Sequence, residues 1–425
     1  MQYIYDVRAQ HDQGPRRPWE YFIPVEYGVS VHETWLWSRT TEWPYDSFSQ
    51  YNVQYPREGF VGFDLFSRID PRLRDLSRLG SHLVVWDRSD EGFVPTEWRN
   101  NHFEMIHQSC ERWHIPERNV LYLSGNLEDY ANRDRYYTQT GFYVQVLVLQ
   151  ACIPLVTGTI HNLGGEETWR SAVDRCNPTH PVLMQSRITR PLRQFATFFA
   201  QRTYGEQLLY SHDRVHEPLD YIEMNSAVWD VVRIPGDKIN KQYKRWRKSL
   251  PRSIDLQDFG ELWTYHDQRS NARRACFQIV QETRVDSEPH PVDGRDQAVT
   301  YSEKTYYPMY YYLPVVIQGA PGVNHRISEL GFRTYEDYFG DMSWDWEPNP
   351  YLRTALMINS LRDLVKDLSR MNHRERIAWR FRHQHVLEHN RQVLERDWWN
   401  REQIEGWPQR ERDRAISLEF QQHQY

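Results

Sequence analysis

The fold of this chain is decided by two short segments, FQIVQET at residues 277–283 and LPVVIQG at residues 313–319. Each is an apolar run that ends on polar or turn-forming residues, as buried strands of parallel sheets do. Between them lies YSEKT at residues 301–305, which places an acid beside an amine. Open α/β folds build ligand sites where buried strands deliver polar residues at their ends. We therefore expect the chemistry of the chain, if any, in residues 272–336.

The amino-terminal half carries a similar pattern. HLVVWD at residues 82–87 predicts a buried strand that ends in a carboxylate, and VLYLSGN at residues 120–126 predicts a second strand closed by a turn. Residues 101–114 have helical spacing between these strands. Strand, helix and strand with short connections imply a parallel sheet. Helices are also predicted over residues 191–204 and from Leu352 to about Trp399.

The composition bounds the size and the class of the protein. A chain of 425 residues favours two domains, because single cores stop growing near ~250–300 residues. Aromatic residues make up 14% of the chain, and they can build a core or line a sugar or base platform. The net charge of −6 gives no support for bulk nucleic-acid binding. Residues 1–60 read as an irregular, partly β region packed by its aromatic side chains.

Cysteine usage and hydropathy indicate the compartment. The four cysteines are far apart and form no C-x-x-C pair, which is typical of a reduced, intracellular protein. VQVLVLQACIPLV at residues 144–156 is shorter than the ~20 residues of a membrane span and contains proline, so it predicts a buried core segment. The first residues lack a basic segment followed by an apolar one. We expect a cytoplasmic protein without a membrane span.

Several catalytic and metal-binding motifs are missing from the sequence. It has no G-x-x-x-x-G-K-[ST], G-x-G-x-x-G, H-E-x-x-H, G-x-S-x-G or D-x-D. His385 and His389 have metal-compatible spacing on a predicted helix, but a solvated face is the favoured interpretation. The prediction is therefore a chain without a metal site.

Residues 276–319 resemble the donor-binding segment of the α-1,3-fucosyltransferase family of glycosyltransferases. That family reads roughly F-x-x-x-x-E-N, a variable loop, T-E-K and an apolar P-V-V strand, and here the series is Phe277 to Thr283, Ser302-Glu303-Lys304 and Pro314-Val315-Val316. Uncharacterised phage and bacterial proteins carry a similar series, which continues here as LGFRTY at residues 330–335. Thr283 and Ser302 depart from the family pattern, and the loop is longer.

The resemblance implies a fold class and domain limits. The family has two facing Rossmann-like domains, the GT-B arrangement, so the expected fold is α/β with two such domains and a C-terminal helical extension. We place the N-terminal acceptor-side domain at residues 1–170, the C-terminal donor domain at 171–350, and a helical extension with a charged tail at 351–425. The tail is a possible docking arm for a protein partner.

The resemblance also implies roles for donor-site residues. Glu303 and Lys304 would contact the ribose and diphosphate of a GDP- or UDP-linked sugar, and Glu282 would support that pocket. A carboxylate can accept ribose hydroxyls, and an ammonium offsets charge on a departing diphosphate. No metal or other cofactor is then required. An ordinary surface ion pair is the alternative for Glu303 and Lys304.

Arginines of the middle segment are further candidates for donor binding. Arg187 and Arg193 are candidates to hold phosphate, because a guanidinium binds two oxygens at once, and a surface arginine is the alternative for each. The basic segment from Lys238 to Arg252 is interpreted as a solvated linker rather than a phosphate-binding face.

Transfer to a hydroxyl acceptor needs a base. In inverting GT-B enzymes this base is a carboxylate of the N-terminal domain. Asp87, at the end of a predicted strand, and Glu91, in the turn that follows it, are the candidates. A solvated turn is the alternative. The expected function is metal-independent transfer of a sugar from a nucleotide sugar to a glycan or other hydroxyl acceptor. The rival is a structural or interaction protein, such as a virion component or assembly partner, on a degenerate transferase fold. For a viral protein, the host cytoplasm or the virion would be the location.

Overall fold

The computed structural model describes most of the chain, in separate ranges. They are residues 2–6, 31–32, 75, 78–79, 82–88, 102–150, 152–162, 166–186, 191–212, 228, 231, 236–250, 265–282, 299–396, 399 and 402–403. Two compact units divide the chain: a first unit of Met1–Ala151 with Asn400–Tyr425, and a second unit of Cys152–Trp399. Within the described ranges, every helix is too short or too polar to cross a membrane.

The first unit is built on a parallel sheet. Its strands are β1 (Gln2–Asp6), β2 (Val31–His32), β3 (His82–Arg88), β4 (Val120–Ser124) and β5 (Gln145–Val148), in the order β2-β1-β3-β4-β5. Two helices, α1 (His102–Trp113) and α2 (Asp129–Thr140), follow β3 and β4 in the chain. The predicted strands at residues 82–87 and 120–126 and the helix between them are thus confirmed.

Apolar burial explains these elements. All five residues of β4 are buried, as expected for a central strand covered on both faces. Phe103, Ile106 and Cys110 recur at helical spacing on α1 and pack with Tyr122 in one core. Gly141 ends α2 in the left-handed region, at φ 73°, which a residue without Cβ adopts without strain.

The second unit is built on a second parallel sheet. Its strands are β6 (His180–Ser186), β7 (Leu208–His212), β8 (Ala275–Gln281) and β9 (Val315–Gln318), in the order β7-β6-β8-β9. Its helices are α3 (Cys152–Asn162), α4 (Trp169–Asp174), α5 (Pro191–Tyr204), α6 (Gly236–Lys248), α7 (Tyr265–Arg273), α8 (Glu303–Tyr310), α9 (Val323–Arg326), α10 (Glu336–Phe339), α11 (Pro350–Ser360), α12 (Arg362–Arg370), α13 (His373–Phe381) and α14 (Gln384–Arg396).

The predicted fold class is confirmed, because both units are α/β structures with parallel, Rossmann-like sheets. In each sheet the strand order reverses once: between β1 and β3 in the first, and between β6 and β8 in the second. Ligands of open parallel sheets bind outside the carboxyl ends of the strands at such a reversal. The topology therefore gives each unit one place for a site.

The basic segment from Lys238 to Arg252 corrects a prediction. It is not a linker: α6 covers Gly236–Lys248, and Tyr243 and Trp246 are buried on it. Their rings pack against Phe198 of α5, and Trp246 also contacts the ring of His212. The charged side chains at 241, 244, 245, 247 and 248 are exposed, so the segment is an amphipathic helix with a solvated basic face.

The predicted helical region after residue 350 is confirmed as four helices, α11 to α14, and they lie in the second unit. The buried guanidinium of Arg380 on α13 donates to the backbone oxygens of Ala275 at 3.0 Å and Tyr311 at 2.9 Å. It thereby ties α13 to the start of β8 and to the chain before β9. The predicted domain limits at 170 and 350 stay predictions. The charged tail beyond residue 403 lies outside the described residues.

Candidate functional site

The carboxyl ends of the second sheet carry buried polar residues on all four strands. They are Gln185 and Ser186 on β6, Ser211 and His212 on β7, Gln281 and Glu282 at the end of β8, and Gln318 on β9. Burial of a polar group costs free energy unless the group is hydrogen-bonded, so a row of buried polar groups indicates an organised polar network. This row lies where sheet topology predicts a ligand site.

Glu282 is the centre of a hydrogen-bonded lock at the end of β8. Its carboxylate is 1% exposed and accepts bonds from the Ser302 backbone N–H at 3.0 Å and the Ser302 hydroxyl at 2.6 Å. It also accepts from the Thr305 hydroxyl at 2.5 Å. Its own N–H donates to the backbone oxygen of Gln318 on β9, at 3.0 Å. Glu282 thus fixes the start of α8 against the carboxyl ends of β8 and β9.

This lock explains the spacing of the S-E-K-T series. Ser302 is the N-cap of α8, and Thr305 lies three residues later on the same side of the first turn. Both hydroxyls therefore donate to one carboxylate, while the side chains of residues 303 and 304 contact each other. The two outer positions hold the helix, and the two inner positions carry a partly exposed ion pair.

Glu303 and Lys304 are those inner residues. Their side chains are 34% and 19% exposed, and the Lys304 ammonium lies 2.7 Å from the Glu303 carboxylate and 3.3 Å from the Ser302 hydroxyl. The structure therefore brings the predicted acid and amine together at the positive end of a helix. Such a group can hold an anion through the ammonium and the positive end of the helix dipole, and a hydroxyl through the carboxylate.

Arg193 lies beside this lock. It is 2% exposed on α5, and its guanidinium donates to the backbone oxygen of Gln281 at 3.1 Å. The Gln281 side chain in turn donates to the Arg193 backbone oxygen at 3.2 Å and to the Gln318 amide oxygen at 3.1 Å. Arg193 is therefore not a surface arginine: it ties α5 to the end of β8. Phosphate binding by Arg193 stays a prediction.

The other predicted site residues are described only in part. Arg187 and Glu91 lie outside the described residues. Asp87 is in β3, where its backbone pairs with that of Leu123 on β4, and its side chain lies outside the description. Its position near the carboxyl end of β3, next to the reversal between β1 and β3, is as predicted. Its role as a base stays a prediction.

Most of the tyrosines after Lys304 belong to the core. Tyr306, Tyr310 and Tyr311 are at most 1% exposed and Tyr312 is 7% exposed, as the sequence interpretation expected for the majority of the run. Burial raises the pKa of Tyr310 to about 12, with the Arg391 guanidinium acting in the opposite direction. These rings pack α8 into the unit and so support the position of its first turn.

A second polar cluster follows β9, and sequence reasoning missed it. The buried carboxylate of Asp345 accepts from the Asn324 backbone N–H at 2.8 Å and the Asn324 amide at 2.7 Å, and lies 3.1 Å from Nδ1 of His325. Nε2 of His325 lies 3.2 Å from the Glu336 carboxylate. Burial raises the pKa of Asp345, and the bonds from Asn324 oppose the rise. Only the glycines of QGAPG at residues 318–322 hinted at a structured turn here.

Near this cluster lies a cavity of about 310 Å³, in the second unit. Its walls include Arg333, Thr334, Glu336, Asp337 and His385. Glu303 and Lys304 are not among its lining residues. In the part of the chain that the structure describes, no group of three or more histidine, cysteine or acidic side chains is arranged to hold a metal ion.

Comparison with known proteins gives a structural likeness at low identity. No protein-family profile and no curated protein matches the chain. Among solved structures it is similar to an α,α-trehalose-phosphate synthase (UDP-forming) from Burkholderia vietnamiensis, with a TM-score of 0.37 and 13% identity. The match covers 76% of this chain and 67% of that one. This likeness does not support a specific relation to fucosyltransferases, and the fold assignment above depends on the two sheets alone.

Proposed function

We propose that this protein is a glycosyltransferase of GT-B type that moves a sugar from a nucleotide-sugar donor to a hydroxyl acceptor without a metal ion. The observation that carries the proposal is the first turn of α8, where Glu282 holds the helix and Glu303 and Lys304 are left partly exposed. An acid and an amine beside a helix N-terminus match the hydroxyls and the charge of a nucleoside diphosphate.

The proposed chemistry follows from the charges. The acceptor oxygen attacks the anomeric carbon of the donor, the bond from that carbon to the diphosphate oxygen breaks, and the nucleoside diphosphate leaves with the electron pair. Lys304 and the α8 N-terminus stabilise the negative charge that develops on the leaving group. Glu303 accepts hydrogen bonds from the ribose hydroxyls and so orients the donor. Asp87 or Glu91 takes the acceptor proton.

A thermal-shift screen with GDP, UDP, CMP and dTDP tests the donor site. A nucleotide at 100 times its dissociation constant stabilises the protein by about 2.7 kcal/mol, which moves the melting temperature measurably. Calorimetric titration of the best nucleotide into Lys304→Ala should then show at least about tenfold weaker binding, because a charge-assisted contact to phosphate is lost.

Lys366→Ala is the matched control, since Lys366 is an exposed lysine on α12 of the same unit. It should bind the nucleotide as the unmodified protein does. Equal weakening in both variants would indicate a general charge effect and contradict the site. No stabilisation by any of the four nucleotides would favour the rival function, a structural or interaction protein.

A further inference from the structure

Trp346 is a large apolar side chain in a polar neighbourhood. It is 54% exposed, and among the residues that the structure describes only Leu79 is a comparably exposed large hydrophobic, in the first unit. Its surroundings include His325, whose ring lies 5.6 Å from that of Trp346 at a tilt of 32°. His325 in turn contacts the carboxylate of Glu336.

Gly322 gives this indole a flat support. A Cβ built on Gly322 would lie 2.5 Å from Cη2 and 2.9 Å from Cε3 of the ring, and closer still to Cζ3 between them. Three adjacent ring atoms at such similar distances mean that the ring presents its face, not its edge, to the glycine. One face of the indole therefore rests on backbone, so the exposure of Trp346 comes from the rest of the ring.

The chain on both sides of Trp346 is held in place. Asp345 is bonded to Asn324 and His325, and its backbone oxygen accepts from the Gly322 N–H at 2.7 Å. On the other side, the Arg353 guanidinium donates to the Pro348 oxygen at 3.2 Å and to the Gly319 oxygen at 2.9 Å. The ring is thus a pre-positioned surface, which lowers the entropy cost of binding.

We propose that the exposed face of Trp346 is a binding platform for a sugar ring, with the hydroxyls of the saccharide reaching Glu336 and the adjoining cavity. An aromatic face carries negative potential and attracts the weakly positive C–H groups on the apolar face of a pyranose. Glu336 connects the platform to the cavity, because it contacts His325 and also lines the cavity wall. The polar cavity walls of Arg333, Thr334 and Asp337 supply donors and acceptors for hydroxyl groups.

The size and the charge of this surface disfavour a protein partner and a cationic ligand. A stable protein interface buries ~800 Å² on each partner, whereas one aromatic residue contributes at most ~150–250 Å². A cationic ligand over the indole would lie beside the imidazole of His325, and the guanidinium of Arg333 lines the adjoining cavity. A neutral ligand with one apolar face and many hydroxyls fits both features.

Saturation-transfer NMR on the full-length protein tests the proposal. The probes are the methyl glycosides of glucose, galactose, mannose and fucose together with maltose, lactose and chitobiose. We expect at least one of them to bind, and its affinity to fall at least about tenfold in Trp346→Ala and less in Trp346→Phe, which keeps an aromatic face. Leu79→Ala is the control and should leave the affinity unchanged.

Three outcomes overturn the proposal: no saturation transfer to any probe, binding that survives in Trp346→Ala, or Trp346-dependent binding of choline instead of saccharides. The platform goes beyond the proposed donor site and is tested apart from it. Titration of the same Trp346→Ala sample with the best nucleoside diphosphate should show unchanged affinity. Saccharide binding without nucleotide binding would therefore contradict the donor site alone, and the reverse result would contradict the platform alone.

Discussion

Both units contain a buried carboxylate that joins a strand end to a helix, but the two carboxylates differ in where their hydrogen-bond partners lie in the chain. In the first unit, Asp129 is fully buried and bonds the Ser124 hydroxyl at the end of β4, the Asn126 amide at 2.8 Å and the Asn132 amide at 3.0 Å. All of these partners lie between Ser124, the last residue of β4, and Asn132 in the first turn of α2. Asp129 therefore closes a turn.

In the second unit, Glu282 reaches a helix that begins 21 residues later in the chain, and its partners Ser302 and Thr305 flank a partly exposed ion pair. The comparison teaches that burial and full hydrogen bonding mark a carboxylate as a structural support. The proposed donor chemistry is placed on Glu303 and Lys304, the residues that this support leaves partly exposed.

The largest expected effect is on stability. Glu282→Ala removes the acceptor of three donors and should lower the free energy of unfolding by about 3 kcal/mol or more, because hydrogen bonds to a charged group are strong and the donors stay buried. Asp129→Ala should cost a similar amount. Urea denaturation measures both. In buffer without denaturant, only Glu282→Ala should weaken nucleotide binding. Equal loss of binding in both variants would contradict the difference between the two carboxylates.

Gly322→Ala should have the next largest effect. The residue has φ 75°, and a Cβ there would overlap the Trp346 ring. Gly205→Ala is a matched control, because Gly205 has φ 59° and no atom within 4 Å of the added carbon. Positive φ costs of order 1–3 kcal/mol in either variant, so the excess loss in Gly322→Ala isolates the contact with the indole. Thermal or urea unfolding that gives equal losses would contradict the described ring support.

Glu303→Gln and Lys304→Ala should separate the two halves of the donor site. Lys304→Ala should weaken both a nucleoside diphosphate and inorganic pyrophosphate by about tenfold, since both carry the charge that the ammonium binds. Glu303→Gln should weaken only the nucleotide, because pyrophosphate has no ribose. Both changes should alter the free energy of unfolding by less than about 1 kcal/mol, as expected for a partly exposed pair. Calorimetry with the two ligands is the measurement.

The smallest effect concerns the thiols. All four cysteines are buried, and burial raises the pKa of Cys110 in the first unit and that of Cys276 in the second, the latter to about 12. At pH 8 the native protein should react with almost none of a disulfide reagent, whereas the unfolded chain should react at all four thiols. Because the folded-state pKa exceeds the ordinary value of 9.0, the Cys276 thiol favours folding below pH 9, and this contribution is lost as the pH rises toward 12.

Labelling rates can also compare the units. Loss of native protection at Cys110 and at Cys276 with rising urea reports the opening of each unit by itself. Rapid reaction of either thiol in the native protein at pH 8 would contradict its described burial.

Local sequence patterns predicted more of the fold than of the site. The strand at residues 82–87 and helix α5 were predicted because apolar runs and a proline at a first helical position are local signals. Helix α6 was missed because its charges dominated the pattern, although Tyr243 and Trp246 at a spacing of three already indicated one buried face.

The site depends on contacts between residues distant in the chain. Glu303 and Lys304 were found through their place in a recurring series, and the bonds that Ser302 and Thr305 donate to Glu282 give that series a physical reason. The association of His325, Asp345 and Trp346 joins residues about 20 positions apart without periodicity, so no local sequence pattern predicted it. Only the assembled ends of the sheet reveal such clusters.

The most direct test of the central claim is a ³¹P NMR titration with the nucleoside diphosphate that stabilises the protein best. The account predicts that binding perturbs the β-phosphate resonance, that Lys304→Ala removes most of this perturbation, and that Lys366→Ala preserves it. A β-phosphate resonance that responds equally to the unmodified protein and to Lys304→Ala would contradict the assignment of the α8 first turn as the diphosphate site.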